Sequence, residues 1–228
     1  MKKKLVYDFP TRVFHWAFSG LFVTAFIIAK TVDSESPVYP YHMLIGLVLG
    51  FFVTFRLVWG GIGTKHAKFS DFMLRPVELL DYFKGVFKGS DKKWSGHNPA
   101  SSWAALVMMG LALGSVGTGF WMASSQSTEN VEDIHELCAN LFVVVALFHV
   151  AGLAVHTIRF REMLGLSMVH GKKMGVPPGE EISSPRVGVG MLLIALGVVC
   201  AIYLFKNYDS SSGVLNLFGT QLVLGKSE

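Results

Sequence analysis

Residues 134–158 read IHELCANLFVVVALFHVAGLAVHTI, an apolar run of 25 residues that carries His135, His149 and His156. About 20 such residues suffice to cross a bilayer as a helix. His135 and His149 lie 14 residues apart, about 21 Å of helical rise. The rotation between them is about 1400°, some 40° short of four full turns. Both imidazoles therefore share one face, one near each surface of the membrane. An apolar helix carrying two co-facial imidazoles points to a membrane protein that binds something inside its spans.

The rest of the chain agrees. Four further apolar runs cover residues 13–29, 42–59, from Pro99 to near Ala123, and 187–205. Charged residues are 16% of the 228, against about 25% in soluble domains. Hydrophobic residues reach 51% and mean hydropathy is +0.46. This composition excludes a disordered chain. The only cysteines, Cys138 and Cys200, sit in apolar runs. They exclude a disulfide scaffold and a four-cysteine iron–sulfur cluster, and no C-x-x-C-H attaches a haem covalently. Lys2, Lys3 and Lys4 before the first run resemble a signal peptide, but no A-x-A-like site ends it and His15 lies inside it. The first run is read as retained.

Charge sets the expected topology. Sixteen cations fall on one side: Lys2, Lys3, Lys4 and Arg12; Lys65, Lys68, Arg75, Lys84, Lys88, Lys92 and Lys93; and Arg159, Arg161, Lys172, Lys173 and Arg186. The other side has Lys30, Lys206 and Lys226, with Asp33, Glu35, Glu129, Glu132 and Asp133. The positive-inside rule then predicts a cytoplasmic N-terminus and a periplasmic C-terminus. The net charge of +4 is a topology signal and carries no nucleic-acid motif. The reading divides the chain into a core at 1–160, a cytoplasmic loop at 161–186, a fifth span at 187–206 and a periplasmic tail at 207–228. The inner loops read as short surface helices and turns. Val77, Leu79, Leu80, Phe83 and Phe87 suggest a helix lying in the membrane interface. The Ser210-Ser211-Ser212-Gly213 tail reads as ordered only in part.

Depth pairs the histidines. His42 opens the second run from outside, level with His135. His15 precedes Lys30 by 15 residues, about 22 Å, which brings it near the depth of His149. A low-spin haem iron takes two such imidazoles from opposite faces, and bundle helices can present them across a core. Small residues that make room lie nearby: Gly46, Ala139, Gly152, and Gly110, Gly114, Gly117 and Gly119 in the third run. The competing readings are a divalent-metal transporter, since imidazole binds zinc or copper, and a stand-alone oxidase of superoxide or quinol. The spans lack the embedded carboxylates that usually complete a metal pathway; only Glu136 lies clearly at a span end. His156 lies about 31 Å below His135, deeper than His15, and reads as an interface residue. His97, before Asn98 and Pro99, reads either as a turn residue or as a partner of a propionate or quinone. Asn98 and Pro99 read as N-cap and N1. His66 and His170 sit in charged loops and read as solvated. Arg56 follows His42 by 14 residues, so it shares that face at the depth of His149. It suits a propionate, though snorkelling also accounts for it.

An ordered set of motifs extends this reading. Tyr7-Asp8-Phe9-Pro10-Thr11-Arg12-Val13-Phe14-His15-Trp16 comes first, then His42-x-x-x-Gly46 with Phe55-Arg56-Leu57-Val58-Trp59. Gly96-His97-Asn98-Pro99 follows, then His135-Glu136-x-x-Ala139-Asn140 with His149. Over about residues 5–160 this resembles the bacterial cytochrome b561 and nickel-hydrogenase b-type cytochrome superfamily. The resemblance implies an all-α integral membrane protein whose four-helix bundle holds two non-covalent b haems, with a fifth helix added. It implies His15, His42, His135 and His149 as iron ligands; the spacing of Arg56 from His42 adds that residue at the cofactor, and no catalytic residue is expected. It also implies the bacterial inner membrane, a place in a respiratory chain and exchange with the quinone pool. The chain would then be an electron-transfer cytochrome, as the membrane subunit of an oxidoreductase. The acidic outer loops would dock a periplasmic cytochrome or enzyme subunit.

Overall fold

The computed structural model describes residues 2–89, 92, 94–124 and 129–224. Lys93, Lys226 and the last four residues of the expected tail lie outside the described residues. Seven helices and five short strands are formed. Five helices are long and apolar enough to span a membrane: α1 (Phe9–Thr31), α2 (Pro40–Ile62), α4 (Pro99–Ser124), α5 (Glu129–Phe160) and α7 (Val187–Asn207). Between them lie α3 (Pro76–Phe87) and the single turn α6 (Ser167–His170). The expected spans are all present. α5 starts earlier than expected and takes Glu129, Glu132 and Asp133 into its first turns, where acids favour the helix N-terminus. Glu136 is thus not the only acid at a span end.

The residues form two compact units, and each long helix contributes to both. The first holds residues 1–13, 56–109 and 143–191. Asp8 caps α1 by accepting the Thr11 amide at 2.8 Å, and Pro10 occupies the first turn, where its missing N–H costs nothing. The second Asp8 oxygen accepts Trp59 Nε1 at 3.1 Å and the Thr64 hydroxyl at 2.6 Å. Asp8 is fully buried. β1 (Lys4–Leu5) pairs antiparallel with β2 (Lys172–Lys173). Gly171 precedes β2 at φ +77°, and a Cβ there would lie 2.6 Å from the Tyr7 carbonyl. Val6, Tyr7 and Val176 form a small core under this pair. Asn98 caps α4 as expected, accepting the Ser101 amide at 2.7 Å. Arg159 of α5 donates to the Val86 carbonyl near the end of α3. Along α3, Val77, Leu80, Phe83 and Phe87 are exposed, in keeping with an interfacial helix.

The second unit holds residues 14–55, 110–142 and 192–228. Phe18, Phe22 and Phe26 stack along α1 at helical spacing, and Phe142 packs on Phe22 with centroids 3.9 Å apart. Glycines set the close approaches. A Cβ at Gly50 would lie 2.9 Å from Val116, and one at Gly114 would lie 2.9 Å from the Cys138 sulfur. Lys30 pairs with Glu136. The tail departs from expectation. β3 (Tyr208–Asp209), β4 (Val214–Leu217) and β5 (Thr220–Val223) form an antiparallel sheet with Leu215 and Leu222 fully buried. Phe218 and Gly219 both take positive φ, as a two-residue hairpin turn demands.

Candidate functional site

In the second unit, His42 of α2 and His135 of α5 face one another with ring centroids 6.0 Å apart and planes at 80°. His42 Nδ1 lies 2.8 Å from the Ala25 carbonyl. His135 Nδ1 lies 3.0 Å from the Ser115 carbonyl and 3.1 Å from the Thr118 hydroxyl. A carbonyl only accepts, so both Nδ1 atoms carry the proton and both Nε2 lone pairs are available. This is the arrangement of metal-ligating imidazoles, oriented by a hydrogen bond on the far nitrogen. At that spacing the two imidazoles would be able to hold one metal centre.

Small residues lie beside the pair. A Cβ at Gly46, one turn after His42, would meet no heavy atom within 4 Å. One at Gly119 would lie 3.3 Å from His135 Cε1, so glycine lets that ring sit where it does. Among the described residues no group of three or more His, Cys, Asp or Glu side chains comes together to hold a metal ion. Two donors suit a haem, which brings four nitrogens of its own, better than a bare divalent cation.

The first unit gathers different chemistry. Arg56 is 5% exposed, so it does not snorkel to the surface. Its guanidinium lies over Phe69 at 4.9 Å and Phe72 at 5.9 Å, and its Nη1 is buried without a hydrogen-bond partner. His97 packs on Phe72 at 4.8 Å and edge-on to Tyr7 at 5.9 Å, with Nδ1 also buried and unpartnered. Burial first, then Lys173, Arg56, His66 and His149, pushes the His97 imidazole down to about 3, so it is neutral. His97 is thus a half-buried loop residue just before α4, with a buried, unpartnered Nδ1 that leaves its expected role at a propionate or quinone open. His149 belongs to this unit, and His15 falls among the residues of the other.

His66 corrects the sequence reading. It is 1% exposed, with Nδ1 2.8 Å from Asp71 and Nε2 2.7 Å from the Glu180 carbonyl. Both partners accept, so the ring donates from both nitrogens and is an imidazolium. Burial opposes the charge, but Asp71 and the Glu180 carbonyl outweigh it and raise the pKa. His170 accepts the Lys172 amide on Nδ1, and so closes a local turn. His156 stacks on Phe160 at 4.5 Å. Sequence reasoning passed over Lys173, counted only as a topology charge. Its ammonium donates to the Gly96 carbonyl at 2.9 Å and lies 5.0 Å over the Tyr7 ring.

Apolar spans that bring two carbonyl-oriented imidazoles together suit a membrane haem protein. The profile described as prokaryotic cytochrome b561 matches residues 6–171, and the chain belongs to that family. It is thus a helical, multi-pass membrane cytochrome b of electron transport. A probable Ni/Fe-hydrogenase B-type cytochrome subunit of Bradyrhizobium diazoefficiens is 26% identical over 211 residues, covering 74% of this chain and 85% of that protein. Proteins of the same description from Rhizobium leguminosarum bv. viciae and Rhodobacter capsulatus are 21% and 23% identical. Each match covers 74% of this chain, and 88% and 80% of those proteins respectively. No solved structure matches the chain significantly.

Proposed function

We propose that this cytochrome carries electrons across the bacterial inner membrane through two bis-histidine b haems, between the quinone pool and a redox partner enzyme. His42 and His135 hold the outer haem. His15 and His149, matched in depth by their positions on α1 and α5, hold the inner one, with Arg56 at its anionic edge. Bound haem supplies one-electron chemistry between ferric and ferrous iron. The protein fixes the imidazole tautomers of His42 and His135 through the Ala25 and Ser115 carbonyls and sets potential by nearby charge. The observation that carries the reading is the 6.0 Å His42–His135 pair with both Nδ1 atoms bound to backbone carbonyls. The described relatives are named as hydrogenase cytochrome subunits, which supports an enzyme subunit as the partner. The periplasmic side assigned to the acidic outer loops is where that partner docks.

The test is a reduced-minus-oxidised spectrum with a pyridine haemochrome assay on the purified chain. Two low-spin b haems per chain are expected. One haem, or a high-spin spectrum in the wild type, contradicts the assignment.

A further inference from the structure

The first unit holds a buried cation, Arg56, and a half-buried one, Lys173, that none of its described carboxylates pairs with. Arg56 Nη1 has no partner, and Lys173 reaches only the Gly96 carbonyl and the face of Tyr7. Among the described residues neither cation forms an ion pair. Asp8 acts on Arg56 and Glu162 on Lys173 only across space, without an ion pair among the described residues. Asp8 accepts from Thr11, Trp59 and Thr64, and Asp71 is bound to His66. Burial lowers Lys173 to about 8, with Glu162 opposing only in part. An uncompensated buried cation is costly, and the natural relief is an anion brought in from outside the chain. Arg56 and His97 both pack on Phe72, and Lys173 and His97 both pack on Tyr7, so the three side chains share one neighbourhood, where His97 keeps a buried Nδ1 without a partner. His149 lies in the same unit and acts on His97 through space.

We propose that Lys173 is a second cation, beside Arg56, that seats the carboxylate edge of the porphyrin ligated by His149, with His97 as the neutral hydrogen-bonding partner at that edge. The inference rests on the two-haem reading and adds residues to it. The backbone explains why Lys173 arrives there. β2 is only two residues long, and its pairing with β1 holds Lys173 opposite Lys4, beside the Tyr7 and Gly96 segments. A planar carboxylate there would gain an ammonium point charge and a guanidinium fork.

The experiment is a redox titration with haem quantitation on the wild type, Lys173→Gln, Lys173→Arg and Arg56→Gln. A cation near the iron stabilises the added electron, so removing it lowers the midpoint potential. Lys173→Gln should keep two haems and lower the midpoint of one component, the same one that Arg56→Gln lowers. Lys173→Arg should restore it. If Lys173→Gln does not accumulate, Lys173→Met serves as the second neutral variant with the same expectation. Unchanged midpoints in a folded neutral variant, equal shifts in both components, or a shift that arginine does not restore would overturn the proposal. A wild-type chain without two haems would instead sink the two-haem reading itself.

Discussion

Single side chains carry much of the chemistry, and the chain's order partly reveals them. His42 and His135 were legible because helical rise and rotation are fixed, so depth and facing follow from numbering alone. The carbonyls that orient them were not, because Ala25 and Ser115 act through backbone atoms and leave no mark in residue type. His66 misled for another reason. Charged neighbours suggested solvent, yet Asp71, five residues on, folds back over it and excludes water. Its folded pKa is raised, so its stabilising contribution is fully present below the unfolded value of about 6.5. That contribution is lost as pH rises through the folded pKa. Thermal melts of the wild type and His66→Gln should therefore differ most at pH 6 and converge as pH rises; a constant difference would contradict the ion pair. Asp8 lay in a quoted motif without an assigned role. Asp8→Ala should cost about 3 kcal/mol, since it removes the α1 cap and leaves Trp59 Nε1 and the Thr64 hydroxyl without their acceptor. Chemical denaturation in detergent, read by Trp59 fluorescence, checks this.

Elements were legible where they were long. Apolar length gave five spans, and Asn98-Pro99 marked the start of α4 before any coordinate was known. The two-residue strands β1 and β2 carry no period to read, and their pairing joins Leu5 to Lys172 across most of the chain. The tail reads as ordered only in part because Ser210–Ser212 dominates its opening. Its order comes from Leu215 and Leu222, which the alternation in β4 and β5 turns to one buried side. Close packing was hinted at by glycine content but not located. A Cβ at Gly60 would lie 2.2 Å from the Phe69 ring that stacks on Arg56. Gly60→Ala should therefore destabilise by about 1–3 kcal/mol through overpacking. Displacing Phe69 should also lower the thermal midpoint more than the matched Gly61→Ala, whose site is open. Equal effects would show that Phe69 yields freely.

At the scale of the whole molecule, an odd number of spans would put the two termini on opposite sides of the membrane, and the cation count predicts an inside N-terminus. A reporter fused after Glu228 should be active only if it needs the periplasm; a cytoplasmic signal would mean that one helix does not cross. On the proposed reading, two haems would give an electron a route from one leaflet to the other, which one alone would not provide. The measurement that tests this most directly is haem content, with redox titration, of four alanine variants. His42→Ala and His135→Ala should damage one spectral component, and His15→Ala and His149→Ala the other, while the wild type holds two haems per chain. Loss of different components by His42→Ala and His135→Ala, or full haem content in any of the four, would contradict the account.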